Sequence, residues 1–160
     1  MMFVADSGPL ISFARANRLA IMRDVVGALW IPDAVYHEVV IVGAGMPGAE
    51  EVSREDWIKR RALTRPPTAL HLPGTLGEGE REAIALAHEL SAVLIVDDAD
   101  ARDAALRLQM PVLGSLGLLR EGKLRGIIPA VKPHLDALRQ HEFRLSSLLY
   151  QTFLEAMNEA

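Results

Sequence analysis

The sequence predicts an α/β fold whose mostly parallel sheet is covered by helices on both faces. Three observations predict it. Short apolar, β-branched runs alternate with helical segments almost from end to end, the arrangement that βα units produce. The runs are apolar at successive positions, as strands buried on both faces are. Acidic residues stand where several runs end, or on the helix that follows, and strand ends of a parallel sheet converge on one edge.

Residues 2–5 form the first apolar run, and Ser7, Gly8 and Pro9 open a helix over 10–16. A second short helix spans 19–26 and stops at Gly27, before a strand over 28–31. Pro32 suits a helix start, where a missing N–H is no loss, and Val35, Val39 and Val42 follow at helical spacing. A turn-rich loop over 43–48 precedes a short acidic helix, 50–56, and a strand within 57–63. Prolines break residues 65–74 into loop. Ala, Leu and Glu make 78–91 a helix, and 93–96 is a wholly apolar strand. A helix over 99–108, a brief strand at 112–113 and a helix over 115–121 follow. Helices over 129–141 and 146–158 end the chain. Residues 1–160 thus read as one domain, with 129–160 as a helical tail. Leu145, Leu148, Leu149, Thr152, Phe153 and Met157 make an apolar stripe on that tail, suited to the domain's own core or to a second copy in a homodimer.

Half the residues are hydrophobic and about a quarter charged, as in soluble globular proteins. No apolar run approaches the roughly 20 residues that span a bilayer, and the start lacks the features of a secretory signal. With no cysteine there is no disulfide framework and no thiolate zinc site. A cytoplasmic protein, away from membranes, is the expectation. The net charge of −4 argues against a surface coated in basic residues, yet Lys59, Arg60 and Arg61 cluster and can hold phosphates.

Four acidic stations stand out: Asp6, Glu38, Glu80 and the doublet Asp97–Asp98. Carboxylates sharing one crevice repel unless a cation lies between them, and hard oxygen ligands suit Mg²⁺ or Mn²⁺. Each acid also has an ordinary use. Asp6 and one of the doublet can cap helices, Glu38 can be an exposed helical residue, and Glu80 suits the positive end of a helix. Glu78 and Glu82 flank Glu80 as substitutes, and His37 sits beside Glu38. Ser7 and Ser115 place hydroxyls at strand ends, and Arg102 can pair with the acids or reach a phosphate.

The segments VADSGPLISFA (4–14), IPDAVYHEV (31–39), GEREAIALA (79–87), LIVDDADAR (94–102) and PVLGSLGLL (111–119) together resemble the PIN-domain superfamily. The likeness is nearest its functionally uncharacterised prokaryotic branch. LRGIIPAVKPHLDAL (124–138) and EFRLS (142–146) extend it over nearly the whole chain. The resemblance implies a three-layer α/β/α fold and metal-dependent cleavage of RNA phosphodiester bonds. It puts the family's acids on Asp6, Glu38, Glu80 and either Asp98 or Asp97. Ser7 and Ser115 would stand behind them, and Arg102, Lys59, Arg60 and Arg61 along the RNA. Many relatives carry aspartate where this chain has Glu80, and many are toxin ribonucleases paired with an antitoxin. The alternative is a PIN-like nucleic-acid-binding or scaffold protein with little or no catalysis.

Two other patterns fail on their residues. Val39–Gly48 mimics the glycine fingerprint of dinucleotide sites, but an acidic segment follows it, and no acid lies about 20 residues on for a ribose hydroxyl. A phosphoacceptor receiver needs paired acids after the first strand, whereas the pair here comes late.

Overall fold

A computed structural model describes residues 1–160 as five parallel strands and nine α-helices. The strands are β1 (Phe3–Ala5), β2 (Leu29–Ile31), β3 (Ile58–Arg60), β4 (Val93–Ile95) and β5 (Val112–Leu113). Their order across the sheet is β3-β2-β1-β4-β5. The chain therefore steps outward from β1 to β3, then crosses back to lay β4 on the other side of β1. Val4 pairs with Trp30 on one side and with Leu94 on the other. Such a reversal of direction opens a crevice beyond the strand ends, and here it falls between β1 and β4.

The helices α1 (Ser7–Arg15), α2 (Leu19–Val26), α3 (Asp33–Tyr36), α4 (Ala49–Arg54), α5 (Glu78–Leu90), α6 (Ala99–Arg107), α7 (Ser115–Leu124), α8 (Lys132–Gln140) and α9 (Ser147–Ala156) flank the sheet. Val4, Leu29, Ile31, Leu94 and Ile95 are fully buried between them, as central parallel strands must be. Ala83 and Ala87 on α5 are small and buried beside Ile84 and Leu86, which lets that helix lie close against the strands.

Three expectations are corrected. The strand within 57–63 is only Ile58–Arg60, an edge strand with Lys59 and Arg60 exposed. The helix from Pro32 runs for one α-helical turn and then widens into a π-helix, His37–Val42, where Gly43 N–H donates to Glu38 C=O. The wider turn spoils the α-helical spacing: Val35 and Val39 are buried, but Val42 is 72% exposed. On α9 the burial falls on Leu154 and on Met157 just beyond it, while Leu148 and Leu149 face outward. Earlier in the tail, Val131, Leu135 and Leu138 are fully buried in the common core.

Candidate active site at the β1–β4 crevice

Asp6 directly follows β1, and its N–H donates to the carbonyl of Ile95, the last residue of β4. The crevice between the two strand ends thus begins at this residue. Asp6 holds the N-cap position of α1 but makes no side-chain capping bond. It is 6% exposed, and its Oδ1 is the one buried side-chain polar atom in the protein without a hydrogen-bond partner. A buried acceptor left unpaired is destabilising by about 1–3 kcal/mol. Burial, above all, pushes the Asp6 carboxyl up to about 7; the Ser7 N–H works against this, and Glu80, Glu38 and Asp98 add to it.

Glu38 comes to the crevice from the π-helix. Its Oε1 accepts a 2.9 Å hydrogen bond from the Ser7 hydroxyl, so the residue beside Asp6 aims the second acid. Gly79 lies against both carboxylates. A methyl group there would stand 2.9 Å from Glu38 Oε2 and 3.6 Å from Asp6 Oδ1. Glycine at that point keeps free the space that the two oxygens face.

Glu80 occupies the first turn of α5, and its Oε1 accepts from the Gly77 N–H at 2.9 Å. The capping role expected of an acid at this position is therefore real. Its carboxyl also reaches Asp98, and its pKa is raised by burial first, then by Asp98 and Glu38. Asp98 caps α6 through Oδ2, which accepts from Ala101 N–H at 3.0 Å. Asp6, Glu38, Glu80 and Asp98 therefore feel one another's charge. As the side chains stand, no three acidic or histidine groups close around an ion.

The doublet divides its duties. Asp97 accepts twice from Ser115, at Oδ1 from its N–H (2.7 Å) and at Oδ2 from its hydroxyl (2.5 Å). Both its oxygens thus serve the start of α7. Ser115 is fully buried, so it supports Asp97 and is closed to a water or phosphate outside. Ser7 alone of the two serines touches one of the four acids.

An open groove of about 570 Å³ borders the crevice, lined by Asp33, His37, Glu38, Glu78, Glu82 and Arg60 among others. Glu82 caps α3 by accepting from the Ala34 N–H at 3.0 Å. Arg60 is the one cation in this lining. Its Nε donates to Asp33 at 2.7 Å, and its guanidinium lies 4.4 Å from the centre of the Tyr36 ring. Lys59 and Arg61 do not line the groove. Arg102 faces elsewhere, with Nη1 3.3 Å from Val96 C=O. The share taken by Tyr36 and Asp33, which hold Arg60 in place, carried no separate signal in the sequence.

A family model, DUF3368, described as a PIN domain, matches residues 2–159. The chain belongs to the PIN-domain family. Among solved structures, a PilT N-terminus domain protein from the hyperthermophilic archaeon Sulfolobus solfataricus P2 has a similar fold, with a TM-score of 0.54 at 24% identity. The match covers 75% of this chain and 92% of that one. No curated protein matches. PIN domains are typically nucleases and in general depend on divalent metal. The donor set of this PIN domain suits such an ion: oxygens only, an unpaired buried carboxylate oxygen, and a glycine that leaves room beside it. No helix is long and apolar enough to cross a membrane.

Proposed function

We propose that this PIN domain is a metal-dependent ribonuclease acting at the β1–β4 crevice. The observation that carries the reading is the unpaired, buried Oδ1 of Asp6 facing three further acids. Asp6, Glu38, Glu80 and Asp98 would hold Mg²⁺ or Mn²⁺, with Asp97 kept at Ser115. The ion, when bound, lowers the pKa of water and neutralises charge growing on a phosphate. The chain's own residues supply the rest. Ser7 fixes the rotamer of Glu38 through its hydroxyl. Glu80 reaches Asp98 from the first turn of α5, so the two carboxylates would face the ion together. Arg60, held by Asp33 and Tyr36, presents its remaining N–H groups to the RNA backbone. Phosphate contacts of this kind position a strand without reading its bases.

The test is cleavage of single-stranded RNA with and without Mn²⁺, together with Mn²⁺ titration by calorimetry. Asp6→Asn should abolish cleavage and weaken Mn²⁺ binding at least tenfold; unchanged values for both would refute the assignment. One observation favours a second reading, a binding protein with feeble catalysis: Glu80 already satisfies Gly77 and Asp98. Salt-dependent RNA binding without metal-dependent cleavage would select it. A toxin role in the cytoplasm, with an antitoxin or a second copy as partner, belongs to the same proposal. Its footing is the exposed apolar residues Ile41, Val42 and Met46, of which Val42 lines the groove. Growth arrest on expression of the wild type and not of Asp6→Asn would support it.

A further inference from the structure

A second groove lies on the other side of the crevice, between α6, β5 and the segment that enters α9. We propose that it is a nucleotide subsite, holding the base and phosphate next to the linkage at the four acids. The inference takes its ligand, single-stranded RNA, from the nuclease reading and adds the path of the strand.

The groove measures about 600 Å³, within the range of small-ligand sites. Leu106, Leu113, Phe143 and Leu149 form an apolar wall, and Arg102 and Arg144 supply its cations. Leu106 is 56% exposed although nothing polar requires it to be. Every ion pair in the protein involves other residues, so neither arginine has a carboxylate partner. The guanidinium of Arg102 is held by the Val96 carbonyl over Gly114, where any side chain would collide with it. Two acids also line the groove. Asp97 has both oxygens engaged by Ser115, and Asp103 is exposed at the rim, where water screens it.

This lining fits a nucleotide. A base offers apolar faces to leucine and phenylalanine, and its phosphate needs a cation that nothing else has claimed. An apolar peptide or helix would leave two arginines desolvated and unpaired, which is strongly unfavourable. The position fits as well. Asp97 walls the groove while the next residue, Asp98, faces the acids, so the two sites adjoin at the mouth of β4. The strand then runs from Arg60, past the acids, to Arg102 and Arg144.

The experiment measures binding of a fluorescein-labelled single-stranded RNA decamer to the full chain by anisotropy, in Ca²⁺, over a salt series. Arg102→Gln with Arg144→Gln should weaken binding at least tenfold at low salt and reduce the salt slope by about 1.4, roughly 0.7 per lost phosphate contact. Arg144→Gln alone, at an exposed and unpaired position, should give half that change and keeps the test valid if the double variant folds poorly. Phe143→Ala should weaken binding about tenfold with the slope unchanged, the loss expected when a base loses its stacking partner. Equal affinities and slopes in all variants overturn the subsite, as does no binding by the wild type. So does a change in oligomeric state without a change in RNA affinity, which would give the groove to a second copy. Metal-dependent cleavage that survives an inert groove leaves the nuclease reading standing. Groove-dependent binding without cleavage removes the nuclease reading and keeps the subsite.

Discussion

At Gly79 two demands on one residue point in opposite directions. Glycine inside a helix is about 1 kcal/mol less favourable than alanine, yet a methyl group there meets Glu38 Oε2 at 2.9 Å and Asp6 Oδ1 at 3.6 Å. Gly79→Ala should therefore keep or raise the thermal midpoint, because Glu38 can swing aside, while Mn²⁺ affinity falls at least tenfold in calorimetry. A second prediction concerns Asp6. Its carboxyl is pushed up to about 7 in the folded protein, chiefly by burial, against 3.8 for a free aspartate. A raised carboxyl stabilises the fold while protonated, so stability without divalent ions should fall as pH rises from about 4 to about 7, by roughly 3–4 kcal/mol. Asp6→Asn should flatten that dependence in urea melts, and Mn²⁺ should oppose it in the wild type. Both effects come from a charge placed where only another charge makes it comfortable.

Among the elements, the π-helix His37–Val42 does most to set the geometry of the crevice. It inserts an extra residue per turn, and π-turns are frequent at functional sites. Gly43 ends it with a backbone so close that a methyl group would lie 2.5 Å from the Val39 carbonyl. Gly43→Ala should be destabilising by about 1–3 kcal/mol, as overpacking is, and should weaken Mn²⁺ binding by displacing Glu38. Thermal unfolding with parallel calorimetry checks both. This element also marks where the sequence stopped being legible. Val35, Val39 and Val42 have the spacing of an ordinary helix, and no local signal distinguishes a wider turn. Strand ends were easier to read, because Asp6 and the Asp97–Asp98 doublet close apolar runs. Which member of the doublet turns inward was not legible. Ser115, seventeen residues beyond Asp98, makes that choice through tertiary contact.

Over the whole molecule, a carboxylate near the C-terminus ties the last helices to the core. Glu159 accepts from the Val131 and Lys132 N–H groups, both at 2.9 Å, and from Lys123 Nζ at 2.7 Å. Glu159→Ala should lower stability by about 1–3 kcal/mol through lost capping of α8, with Mn²⁺ affinity unchanged, since the tie lies away from the acids. The sheet order itself was only half legible. Alternating strands and helices announced parallel pairing, but the sequence carries no mark of which strand sits beside which. That β4 lies next to β1 has a consequence for biosynthesis. Asp6 and Glu38 leave the ribosome well before β4, whereas Glu80 and Asp98 stand on either side of that strand in the chain. The central place beside β1 stays vacant until Val93–Ile95 emerges. An unfinished chain thus carries two of the four acids and three of the five strands, and its crevice has only one wall until β4 arrives.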